Sequence, residues 1–85
     1  VKFKNYRCLV VNSGYANTSF FEDYDRKSEI DIFIAYVRLP KNSWTVSLYS
    51  NKQPELDVSK IAKKYGGGGH AGASGFQCDE LPFEI

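Results

Sequence analysis

Six consecutive apolar residues, Ile32, Phe33, Ile34, Ala35, Tyr36 and Val37, constrain this chain more than any other stretch. A strand with one face in water alternates apolar and polar residues, whereas a strand covered on both faces does not need to. The run therefore predicts a strand near the middle of a sheet. After the turn at Pro40, Lys41, Asn42 and Ser43, residues 44–50 do alternate. Trp44, Val46 and Leu48 fall on one face, predicted to be core, and Thr45, Ser47 and Tyr49 on the other, predicted to be polar and open. Residues 3–12 read as a further strand, ending in Cys8, Leu9, Val10 and Val11 and stopped by Ser13 and Gly14.

Helical spacing appears twice. Over residues 17–28, Phe20 and Tyr24 continue a stripe begun at Ala16, with Glu22 and Asp23 early and Arg26 and Lys27 late, as the helix dipole prefers. Asp57 is a good N-cap for a second helix. In it Val58, Ile61, Ala62 and Tyr65 fall at i, i+3, i+4 and i+7, and Gly66 suits the C′ position. Residues 51–56, with Pro54, read as a loop. Residues 70–74 suggest one further helical turn, and residues 75–78 a last strand before the tail at 81–85. The expectation is a single α+β domain over residues 1–85: a small mixed sheet of four to five strands with two main helices packed against it.

Eighty-five residues lie near the lower end of what one hydrophobic core sustains. Aromatic residues make up 15% of the chain, and each large ring can bury about 150–250 Å², which helps so small a core suffice. A net charge of +1 provides no broad field for duplex nucleic acid, so any bound anion must be gripped locally. Cys8 and Cys78, with a single histidine, fall short of a four-ligand zinc set. They read as small buried apolar residues in a reducing compartment, and the expected location is cytoplasmic. No signal peptide is evident and no apolar run approaches the roughly 18 residues of a membrane span. The chain begins at Val1 and contains no methionine. It is expected to be a piece of a longer protein, with the chemistry in the missing part.

Gly66, Gly67, Gly68 and Gly69 precede His70. Each ordered glycine costs roughly 0.5–1 kcal/mol more than alanine, so four in a row need a reason. A helix cap would use one, and a flexible linker seldom stops after four and leads into a compact run of small residues. The remaining reading is an anion cradle: successive N–H groups form a concave nest, the start of the next helix adds its dipole, and the missing side chains admit a phosphate. No lysine followed by serine or threonine comes after the glycines, so this is not a P-loop; no strand runs into them, so it is not the dinucleotide fingerprint either. His70 taken alone would be a surface or structural histidine. Beside a nest it reads as a donor to a phosphate oxygen. Nothing local supplies a catalytic partner or a metal ligand set for it.

One family resembles this pattern. Val46-Ser47-Leu48-Tyr49-Ser50, Asp57-Val58-Ser59-Lys60-Ile61-Ala62, the glycine run with His70, and Ala73-Ser74-Gly75-Phe76 are similar to the DHH-associated C-terminal domain of the DHH-family phosphoesterases. That family includes the nanoRNA nucleases with adenosine bisphosphate phosphatase activity, RecJ-type exonucleases, cyclic-dinucleotide phosphodiesterases and exopolyphosphatases. The resemblance covers residues 44–78 and extends in layout alone over residues 1–43. It implies that an N-terminal domain with an Asp-His-His signature binds two metal ions, usually manganese, while the C-terminal domain closes over the cleft and holds the substrate. This chain contains no Asp-His-His, so no catalytic or metal-binding residue and no cofactor is assigned to it.

By position, the resemblance makes Gly67, Gly68 and Gly69 backbone contacts, His70 a phosphate or sugar contact, and Ser50 a polar neighbour. Tyr49 departs from the arginine of many relatives. It could stack on a base and donate one hydrogen bond, or it could simply cover sheet surface. Lys60, Lys63 and Lys64 read as a solvated helix face that could also guide an anion, Glu22, Asp23 and Asp25 as surface of the first helix, and Trp44 as core.

The implied function is a substrate-binding domain for a nucleotide or short single-stranded oligonucleotide, working with its own N-terminal DHH domain. No membrane partner is expected, and a homodimer is left open. The alternatives are a nucleic-acid module with no enzymatic partner, polyphosphate binding of the exopolyphosphatase type, and a structural or oligomerising domain whose glycines serve packing.

Overall fold

The computed structural model describes residues 2–12, 29–41, 43–52 and 55–83. In chain order these form β1 (Lys2–Phe3), β2 (Tyr6–Asn12), β3 (Ile32–Leu39), β4 (Ser43–Ser50), α1 (Val58–Lys64), β5 (Gly68–Gly69) and β6 (Ala73–Cys78). The strands make one mixed sheet in the order β1-β2-β3-β4-β6-β5, with β2 and β3 parallel and the other neighbours antiparallel. The apolar run lies in β3, between β2 and β4, and residues 32–36 are buried on both faces.

One face of the sheet meets α1. The helix buries Val58, Ser59, Ile61 and Ala62 against Ile32, Ile34, Tyr36, Val46, Leu48 and Phe76. Trp44 is half-buried and packs at the edge of this core. Burying a Val, Leu or Ile side chain contributes about 1.5–3 kcal/mol, so this interface dominates the stability of the fold. Tyr65 extends it by stacking on Phe76, with ring centroids 4.7 Å apart. The opposite face carries a second, smaller apolar cluster, Ile30 and Phe33 with Leu9, Val11 and Tyr49. The face of β4 predicted to be polar is therefore partly apolar, because Tyr49 pairs with Phe33 across the ladder.

The capping chemistry follows the sequence. Asp57 accepts hydrogen bonds from the Ser59 amide (2.9 Å) and the Ser59 hydroxyl, and the latter contact chiefly holds its carboxyl below the usual range. At the other end the Gly66 amide donates to Lys63 O (3.2 Å) and the Gly67 amide to Ala62 O (2.9 Å). These are the two bonds of a Schellman cap, and Gly66 takes the left-handed φ (+87°) that the C′ position needs.

Two expectations are corrected, the single strand over residues 3–12 and the helical turn over 70–74. The strand over residues 3–12 is two strands, β1 and β2, folded back at Lys4 and Asn5 so that Phe3 pairs with Tyr6. The turn is invisible in the hydrophobic pattern because Lys4, not a glycine, takes the left-handed φ of 58°. The expected small mixed sheet forms, and β1 and β5, two residues each at its edges, bring the strand count to six. Residues 70–74 are not helical: the His70 amide donates to Ala73 O (2.8 Å) and the Ala73 amide to His70 O (3.2 Å), closing a hairpin over Ala71 and Gly72. Among the described residues α1 is the one α-helix; the helix expected over 17–28, with Glu22, Asp23 and Asp25, lies outside them.

Neither Cys8 nor Cys78 forms a disulfide, and the Cys8 thiol donates to Tyr6 O (3.7 Å). Burial pushes the Cys8 thiol up to about 11, which suits a small apolar core residue, and also raises that of half-buried Cys78. Among the described residues no helix is long and apolar enough to cross a membrane.

Candidate functional site

The four glycines leave α1 through its cap and run along the outer edge of the sheet as β5. Their reasons for being glycine differ. Gly66 is set by its φ. At Gly67 a Cβ would fall 2.0 Å from the Gly75 carbonyl oxygen and 2.7 Å from Phe76 Cβ, so no side chain fits. Gly69 combines φ +143° with a Cβ position 2.7 Å from Ala73 O. Gly68 has neither constraint: a Cβ there meets nothing within 4 Å, and its φ lies outside the left-handed region. The fold itself requires three of the four glycines and leaves Gly68 unexplained.

The amides are also largely spent inside the molecule. Those of Gly66 and Gly67 cap the helix, and that of His70 closes the hairpin. Bonded and non-bonded pairs alternate along an antiparallel ladder. Because His70 and Ala73 form a bonded pair, Gly69 opposite Ser74 forms a non-bonded one, and its N–H points to the free edge. Gly68 opposite Gly75 then bonds inward to β6. The concave nest of successive amides does not form, and residues 70–74, being a hairpin, contribute no helix dipole. What the edge offers is one outward N–H, at Gly69, beside the bare Cα of Gly68.

Register decides which of the candidate residues meet. Gly68 lies across from Gly75, which lies across from Ser47. His70 lies across from Ala73, which lies across from Tyr49. Cross-strand partners share a face, and residues two apart on a strand do too. Gly68, His70, Ser47, Tyr49, Ala73 and Gly75 are therefore on one face, the one turned away from α1. His70 is exposed and Tyr49 half-buried. Next to them Thr45, Gly66, Gly67, Gly75, Phe76 and Gln77 enclose a cavity of about 400 Å³.

Ser50 belongs elsewhere. Its hydroxyl donates to Leu56 O (2.7 Å) and accepts from the Lys52 amide (3.3 Å), and its own amide donates to Gly72 O (2.9 Å). Ser50 braces the loop before α1 and the tip of the hairpin; it does not join the face of His70. Gly67 is likewise enclosed, since Gly75 and Phe76 occupy the space around its Cα.

No protein-family model matches this chain, and no curated protein matches it. Its fold is similar to part of a pGpG-specific phosphodiesterase, PggH from Vibrio cholerae, with a TM-score of 0.59. The two share 20% sequence identity over 84% of this chain and 26% of that one, so the chain spans about a quarter of that enzyme's length. At this identity the likeness is one of fold.

Sequence reasoning missed Ser74. Its buried hydroxyl donates to His70 O at 2.6 Å, fixing the backbone from which the imidazole projects. A Cβ on Gly69 would come within 2.9 Å of that hydroxyl oxygen, so Gly69 is what lets Ser74 reach. No pattern along the chain marks this contact, which exists because the hairpin folds Ser74 back onto His70. Among the described residues no group of three or more His, Cys, Asp or Glu side chains could hold a metal ion. These residues do not fit a manganese centre.

Proposed function

We propose that this domain holds a nucleotide or the phosphate of a short oligonucleotide for hydrolysis by a separate metal-bearing domain of the DHH type. Gly68 carries this reading. It is a glycine the fold does not need, on the same face as the exposed imidazole and Tyr49, at a strand edge with one amide turned outward. A bare Cα with open space above it admits a ligand to the main chain that any side chain would hold away. The likeness of fold to a pGpG-specific phosphodiesterase of the DHH family supports the substrate class.

The roles follow from chemistry. The Gly69 N–H and the His70 imidazole donate to phosphate oxygens, and Ser74 holds the His70 backbone in place. The exposed edge of the Tyr49 ring lies against the base or ribose, while its body stays packed on Phe33. The domain's contribution to catalysis is position: holding the phosphate still turns hydrolysis into a reaction of fixed partners.

The test is an amide-shift titration of the chain with adenosine 3′,5′-bisphosphate and with a dinucleotide. Shifts confined to Gly68, Gly69, His70 and Tyr49 are expected at millimolar ligand. An unmoved Gly68–His70 segment at that concentration contradicts the reading.

A further inference from the structure

The helix α1 lies over β4, β6 and β5, toward one edge of the sheet, and leaves the β1–β2 end of the same face beside it. Between them is a cavity of about 530 Å³. Its floor includes the buried side chains of Leu56 and Ile61. Three lysines line it from two distant parts of the chain: Lys4 from the β1–β2 turn, and Lys60 and Lys64 from one side of α1. Lys63, their neighbour in sequence, does not line it. The lysine face of α1 is thus divided, and only the pair four residues apart turns to this cavity.

Two features separate this cluster from an ordinary solvated surface: the placement of Lys60 and Lys64, and the seat of the Lys4 ammonium. Lys60 and Lys64 are like charges one helical turn apart, a placement that weakens a helix unless something negative lies between them. Lys4 holds a left-handed φ of 58°, the one non-glycine residue to do so among those described. Its ammonium lies over two rings, 5.6 Å from the centroid of Phe3 and 5.5 Å from that of Tyr65. The φ is the one a two-residue hairpin turn needs, and that turn fixes where the Lys4 side chain starts. Two carboxylates, Glu55 and Asp57, also line the wall, but Asp57 is engaged by Ser59 at the helix cap. Three ammonium groups against two carboxylates leave the cavity positive on a nearly neutral chain.

We propose that this cavity is a second anion site, taking a ligand with two or more phosphoryl groups in series. Lysines act as point charges suited to spread phosphate oxygens, and the volume exceeds what one phosphate fills. Tyr6 also lines the cavity. The site is on the α1 side of the sheet near β1, whereas Gly68 and His70 are on the other face at the β5 edge. It therefore does not depend on the function proposed for the glycine edge.

The experiment is an amide-shift titration with inorganic tripolyphosphate at low salt, repeated with a 5′-phosphorylated dinucleotide. Tripolyphosphate is expected to move Lys4, Tyr6, Lys60 and Lys64. The Lys60→Gln/Lys64→Gln double variant should weaken binding about tenfold or more, while Gly68→Val should leave it unchanged. Lys4→Gly relieves the strained φ, so it should keep or raise the melting temperature and still weaken binding. If the dinucleotide moves the same residues, the phosphates are borne on a nucleotide; if only tripolyphosphate does, they are free. Shifts spread evenly over Lys41, Lys63 and the other lysines, or binding indifferent to the Lys60/Lys64 double variant, would overturn the proposal.

Discussion

Gly67 and Gly68 are adjacent and identical in composition, yet the molecule treats them differently. Gly67 is pressed against Gly75 and Phe76, and internal packing accounts for it completely. Gly68, one residue on, faces open space. A run of glycines is therefore not one signal. The part absorbed by the cap and by the close approach of β6 concerns folding, and only the remainder bears on a ligand. Had all four been needed internally, the case for an anion at this edge would have rested on His70 alone.

The sharpest way to break this contrast is Gly67→Ala. A methyl placed 2.0 Å from a backbone oxygen must displace β5 from β6, at a cost of about 3 kcal/mol or more; a melting curve with little change would show that the edge is loosely held. Ser74→Ala tests the same internal side more gently. It removes the hydrogen bond to His70 O, should cost about 1 kcal/mol by denaturant titration, and should speed amide exchange in the hairpin. Asp57→Asn probes the far end of α1 and carries a pH signature. The folded carboxyl is more acidic than the unfolded one, whose ordinary value is 3.8. The stability gap between wild type and variant should therefore be full above that pH and shrink as acid is added below it; a gap that widens in acid would contradict the cap. The smallest effect on stability belongs to the outward side: His70→Ala should melt with the wild type, its side chain being exposed, and lose the nucleotide-induced shifts.

Much of the packed half was legible in the chain. Trp44, Val46 and Leu48 announced a core face by simple alternation, and Val58, Ile61, Ala62 and Tyr65 announced a buried helix stripe. Asp57 and Gly66 marked the ends of that helix because each has a definite backbone chemistry. The β5 edge was not legible, for the opposite reason: two glycines carry no alternation, so a Gly-Gly strand exists only through its ladder with β6. Lys4 hid the first hairpin by taking a conformation that the sequence leads one to expect of glycine or asparagine. Where the candidate residues meet is not written along the chain. The sequence offers His70, Gly68 and Tyr49 as candidates, but their common face depends on register across three strands, and register gives Ser50 a bracing role.

The most direct measurement pairs stability with binding in Gly68→Val. The variant should melt within a few degrees of the wild type, since its side chain enters open space, and should show no shift at Gly69 or His70 with adenosine 3′,5′-bisphosphate. A variant that binds as well as the wild type would show that nothing approaches the main chain at residue 68, and the account of this edge would fail.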